Sequence, residues 1–154
     1  MRGKFLTSAL LLALASTAFA QTAAPAKLTA EQQAAQTQMN QKLANAGLQV
    51  AQLIDAGKAG EVWDGASPIA KQASTRAAFI KQTNADRKTV GPLTSRAVQG
   101  VNYQSSDGKK LPAGIYASVA FASKFASTKA PVRELISFHL ESNKTWLVTG
   151  YTLR

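Results

Sequence analysis

The sequence predicts an α+β fold, with N-terminal helices packed on one face of a curved antiparallel sheet of about four strands. Three observations carry that expectation. Apolar residues recur every three or four positions as far as Val90 and alternate afterwards, which marks a change from helical to strand period. The gaps between the alternating runs are short enough for antiparallel neighbours. Helices precede strands instead of interleaving with them, an order that belongs to α+β chains.

The elements follow in chain order. Residues 1–20 read as a secretory signal peptide: Arg2 and Lys4 start it, Phe5 to Ala15 is apolar, and Ala18-Phe19-Ala20 precedes Gln21. The apolar run is shorter than the roughly 20 residues that a bilayer span needs. Cleavage after Ala20 is therefore expected, with the protein periplasmic or secreted. Residues 21–28 form a flexible leader, and residues 29–154 a single α+β domain of ordinary size.

Thr29-Ala30-Glu31-Gln32 has the form of a capping box, so a helix should begin there. Ala35, Met39, Leu43, Ala46, Val50 and Leu53 make its apolar stripe. Gly47 weakens the middle, and Gly57 and Gly60 end it. Glu61 to Asp64 is a short helical piece carrying Trp63. Ser67-Pro68 reads as N-cap and first helical residue. Ser74 or Thr75 caps the next helix, whose inward face holds Ala77, Phe79, Ile80 and Thr83 or Asn84, and Gly91-Pro92 stops it.

Leu93 to Tyr103 is the first strand, with Gly100 marking a bulge. Gln104 to Pro112 is polar and turns at Asp107-Gly108. Ile115, Ala117, Val119, Phe121 and Phe125 alternate on a second strand. Val132, Ile136, Phe138 and Leu140 share one parity on a third, interrupted by Glu134. Glu141 to Lys144 is a hairpin turn. On the last strand Trp146, Val148 and Gly150 oppose Leu147, Tyr151 and Leu153. The expected core anchors are Trp63, Phe79, Phe121 and Phe138.

The run from about Leu53 onward resembles a family of exported bacterial domains catalogued as a domain of unknown function (number four-thousand-nineteen). The resemblance lies in Val62-Trp63-Asp64, Ala66-Ser67-Pro68, Thr75-Arg76-Ala77-Ala78-Phe79 and Trp146-Leu147-Val148-Thr149-Gly150-Tyr151. The family brings no established activity to transfer. Its element order is similar to the nuclear-transport-factor-two-like, or cystatin-like, cone. That similarity implies a pocket between helices and sheet, and homodimers. It is an argument from fold, which many functions share. Four strands are fewer than that cone usually has, which implies a shallow or filled pocket.

The formal charge is +10, and removing Arg2 and Lys4 leaves +8. A basic balance either forms a footprint for polyanions or simply solvates the surface. The basic residues are scattered and no aromatics are interleaved with them, so any polyanion contact should be weak and electrostatic. The chain has no cysteine and one histidine, which argues against a dedicated zinc site. No phosphate loop, dinucleotide fingerprint or nucleophile elbow is present, and no cofactor is expected.

Ser67 and Lys71 stand four apart, the spacing of a catalytic pair on one helix face. With Pro68 behind it, however, Ser67 is better used as a cap. His139 shares parity with Arg133, Leu135, Ser137 and Glu141 and reads as a surface or rim histidine. Asp64 is either a buried pocket acid or a cap on the following turn, the cap being preferred. Glu134 is either at a frayed edge or paired with a basic neighbour. Trp63, Tyr103, Tyr116, Trp146 and Tyr151 either line a pocket with their polar tips or are plain core. With Asp64 and His139 they are the candidate pocket or binding residues. The expected function is a non-enzymatic exported binding module for a small apolar ligand or a protein partner. The alternatives are a pocket hydrolase or isomerase, or a weak polyanion-binding surface protein.

Overall fold

A computed structural model describes residues 27–154. Residues 1–26, on which the expected signal segment and most of the expected leader fall, lie outside the described residues. Helix α1 spans Ala30–Asp55 and opens with the expected capping box: Gln32 N–H donates to Thr29 Oγ1 at 3.2 Å, and Thr29 N–H to Gln32 Oε1 at 2.8 Å. Its buried face is Leu43, Ala44, Gly47, Val50, Ala51 and Ile54. Ala35 and Met39 are exposed instead, as is the whole first part of the helix, Ala30–Met39. Twenty-six helical residues reach about 39 Å, more than the sheet needs to cover it.

Three short or medium helices follow: α2 (Ala59–Asp64), α3 (Pro68–Ala73) and α4 (Arg76–Val90). Ser67 caps α3 by accepting from Ile69 N–H, and Thr75, not Ser74, caps α4 by accepting from Ala78 N–H. Trp63 packs tilted on Phe79, centroids 5.6 Å apart, and with Ala66 and Ala70 forms a small cluster. On α4, Thr83 is buried, Phe79 and Ile80 are half-buried, and Ala77 and Asn84 are exposed. The inward face is therefore narrower than its pattern indicates.

Strands β1 (Leu93–Ser106), β2 (Gly114–Phe125), β3 (Val132–Leu140) and β4 (Trp146–Leu153) form an antiparallel meander in the order β1-β2-β3-β4. The sheet is curved and unclosed. Its inner face carries Ala117, Val119, Phe121, Ile136, Phe138 and Tyr151 against α1. Ile115 shares that parity but is 46% exposed, at the hairpin end of β2.

Among the described residues three register shifts interrupt the sheet; one, between Leu93 and Ser95, lies at the start of β1, and the other two reset the alternation further in. Of those two, one lies between Val98 and Gly100, where Gly100 takes φ 152, as the sequence indicates. The other sits opposite Ser137/Phe138: Gly150 pairs with Ser137 and Val148 with Phe138, which leaves Thr149 extra. That residue reverses the parity of β4. Trp146, Val148, Tyr151 and Leu153 all pack toward the core, whereas strict alternation would divide them between two faces.

The space between α1 and the sheet is filled. Ala51, Val119 and Ile136 are fully buried. Gly47 lies so close to the sheet that a Cβ on it would sit 3.1 Å from Val119 Cβ. Gly47 thus serves close helix–sheet approach and does not mark a weak point. Among the described residues this contact is closely packed, where the cone analogy implies a pocket.

Candidate functional site

The second, outer face of the sheet carries an open groove of about 660 Å³. Helix α3 makes one wall. Its position follows from Ser67, whose amide donates to the Val148 carbonyl at 2.8 Å and whose hydroxyl donates to Glu141 Oε1 at 2.5 Å. These bonds tie the start of α3 to β4 and to the β3–β4 turn. Ile69, Ala70 and Ala73 then face the groove. The β1–β2 hairpin supplies the opposite wall with Leu111 and Pro112, and Tyr116 holds it by donating its hydroxyl to the Pro112 carbonyl at 2.8 Å. The floor is Leu135 with the hydroxyls of Ser118, Ser137, Thr149 and Thr152. Arg154 is the one charged lining residue. Apolar walls with neutral hydroxyls suit an uncharged ligand with few polar groups.

A buried cluster lies at the end of this groove. His139 is on the outer face, as its parity indicates, but it is only 8% exposed and is no surface histidine. The Tyr116 ring covers it at 4.9 Å, and Gly114 packs directly on its Nε2 edge. A side chain at position 114 would occupy the space of the imidazole, so the missing Cβ is what lets the ring in. His139 Nδ1 lies 3.0 Å from Glu141 Oε1, the oxygen that also takes the Ser67 hydroxyl. A carboxylate only accepts, so Nδ1 carries the proton of the neutral ring. Nε2 is then a buried atom without a hydrogen-bond partner. The Ser67 hydroxyl first, and His139 second, hold the Glu141 carboxyl below its usual range. Burial, and then the Glu141 charge, raise the Tyr116 phenol.

The other candidate residues are dispersed. Tyr103 and Trp146 meet edge to face at 6.0 Å on the inner side, where the Tyr103 hydroxyl donates to Asn40 Oδ1 at 2.8 Å. Trp63 is core. Asp64 is neither a pocket acid nor a turn cap: its carboxylate receives Arg76 at 2.8 and 3.1 Å, and that bond lowers its pKa. Tyr151 lies at the far end of the core, donating to Glu134 Oε1 at 2.8 Å. Of the seven candidates, Tyr116 lines the groove and His139 lies behind it.

Glu134 is fully buried and paired, which resolves its two readings. Arg96 donates to it at 2.6 and 3.0 Å, Ser123 at 2.5 Å and Tyr151 at 2.8 Å. Arg96 also grips Asp55 at 2.8 and 3.1 Å, and Arg87 reaches the same Asp55 at 2.8 Å. Burial alone would lower the Arg96 pKa; the bonds to Asp55 and Glu134 outweigh it and raise it. This network joins α1, α4 and the sheet.

The Ser67–Lys71 pair does not form. Lys71 Nζ donates to the Asp64 carbonyl at 2.8 Å, and Ser67 is fully buried. Ser67, Glu141 and His139 are not a nucleophile triad either, because the carboxylate stands between hydroxyl and imidazole. Among the described residues no group of three or more His, Cys, Asp or Glu is placed to hold a metal ion, and no helix is long and apolar enough to cross a membrane. Sequence reasoning missed the groove and the tie from Ser67 to Glu141. The available signal was that Glu141 follows His139 at the same parity.

The sequence profile of the family described as "Protein of unknown function (DUF4019)" matches residues 46–151. That stretch runs from the middle of α1 to Tyr151 and contains both walls of the groove. Neither the curated proteins nor the solved structures include a match to this chain. With most of its length matched, the chain belongs to the DUF4019 family.

Proposed function

We propose that this protein is an exported, non-enzymatic binding module that holds a small, uncharged, mainly apolar molecule in the outer-face groove. The observation that carries the reading is the groove itself. It offers about 660 Å³ between α3 and the β1–β2 hairpin, within the range of small-molecule sites. Among the described residues its lining pairs Ile69, Leu111 and Leu135 with neutral hydroxyls and the amides of Gln72 and Gln104, and Arg154 is its one charged side chain. The signal-like start of the sequence supports export. A protein partner is the second reading, favoured by Leu111, which is 43% exposed on the hairpin wall.

Native mass spectrometry of the protein isolated without denaturation from the cells that make it tests both. The expected spectrum shows a polypeptide beginning at Gln21 with a small-molecule adduct, which is lost when Ala73→Trp fills the groove. A protein adduct on the same face would favour the second reading. An adduct unchanged by Ala73→Trp would place the ligand elsewhere.

A further inference from the structure

We propose that His139 is a proton-operated latch that sets the position of the β1–β2 hairpin, and with it the width of the outer-face groove. The inference rests on the reading of that groove as the ligand site.

The imidazole is held asymmetrically. Nδ1 has the Glu141 carboxylate, while Nε2 is buried without a partner against Gly114. In the neutral ring Nε2 is a bare acceptor, and the contact is tolerable. Protonation makes both nitrogens donors. Nδ1–H keeps Glu141 and gains charge attraction. Nε2–H, now part of a cation, faces a glycine with no acceptor in reach, and a buried donor of that kind is costly. The charged ring therefore requires water or a carbonyl at Nε2, and something must move to admit it.

Gly114 is the side that can yield. The Tyr116 ring and the β3–β4 turn with Glu141 close the other directions, and Leu147 is the partner of His139 on β4. Gly114 begins β2 at φ 148, a conformation open to glycine, and Asp107–Ala113 before it are all exposed. The titratable groups facing His139 are Glu141 and Tyr116. The hairpin's own Asp107 and Lys109 pair with each other at 3.0 Å, and Lys71 of α3 is bonded to the Asp64 carbonyl. None of these supplies an acceptor to Nε2. Movement at Gly114 carries Leu111 and Pro112, the hairpin wall of the groove. The groove holds its ligand while His139 is neutral and loosens when the ring takes a second proton.

The test is a pH titration of the isotopically labelled full chain by NMR, between about pH 5 and pH 8, where an imidazole changes charge. The expected result is a single midpoint shared by the His139 ring and the amides of Gly108 and Gly114. His139→Gln should remove that midpoint from the hairpin amides. Should that variant fail to fold, the wild-type titration decides alone. A ring that titrates while the hairpin amides stay still, or a ring that takes no proton in this range, overturns the latch. None of these readings uses a ligand, so they stand apart from the fate of the groove reading. With the neutral apolar probe N-phenylnaphthylamine, affinity should fall about tenfold or more across the same midpoint, since a latch must favour one state by that factor to matter. Probe binding that is independent of pH would also overturn it. Absence of probe binding at every pH would count against the groove reading and leave the NMR result to decide the latch.

Discussion

Glu134 shows how much one residue holds. A fully buried carboxylate receives four hydrogen bonds, from Arg96 twice, Ser123 and Tyr151. Glu134→Leu would leave the Arg96 cation half-paired in the core, and breaking such a pair costs about 3–5 kcal/mol. Urea denaturation should show that loss, and Arg96→Met combined with Glu134→Leu should recover part of it. Glu141 makes a second residue-scale prediction. Its folded pKa is depressed by Ser67 and His139, so its contribution is fully present above the unfolded glutamate value of about 4.3. It is lost as pH falls from there through the folded value. Glu141→Gln should therefore flatten the stability profile on that acid limb, as measured by denaturation at each pH. The two acids differed in legibility. Glu134 was visible as a charge on an apolar parity, whereas its partner Arg96 lies 38 residues away and nothing local names it. His139 was placed on the correct face but read as a surface or rim residue, because its cover comes from Gly114 and Tyr116 on β2, distant in sequence.

At the scale of elements, caps and period changes were the legible features. Thr29, Ser67 and Thr75 each cap the helix that follows them, because a cap is written in residues that touch each other. The bulge at Thr149 was not legible. Gly150 is a strand glycine like Gly100, but it does not say which residue is extra; Thr149 appears as such only against Ser137 and Phe138 on the neighbouring strand. Gly47 was visible but misassigned. Helix propensity says that Gly47→Ala should gain about 1 kcal/mol. The contact with Val119, which is fully buried, says otherwise. Overpacking a rigid core typically costs about 1–3 kcal/mol, so the net effect should be destabilising. A thermal midpoint higher than that of the wild type would show that α1 can lift from the sheet.

Across the whole molecule, the α+β order and the four-stranded meander could be read from the sequence because hydrophobic period and short connections are local signals. The site could not. The groove exists where α3, the β1–β2 hairpin and the outer sheet face converge, and no motif marks it. The formal charge of +10 says little about it, since Arg87 and Arg96 are engaged with carboxylates inside the fold and Arg76 with Asp64 at the surface. The central claim is that the ligand surface is the outer face and not the filled space beneath α1. Amide chemical-shift mapping of the labelled protein during titration with N-phenylnaphthylamine tests it most directly. The account predicts saturable shifts confined to Ile69, Ala73, Tyr116, Ser137 and Thr149 and their neighbours. Shifts centred instead on Leu43 to Ile54 and Val119 would show that the ligand enters between helix and sheet, and would contradict it.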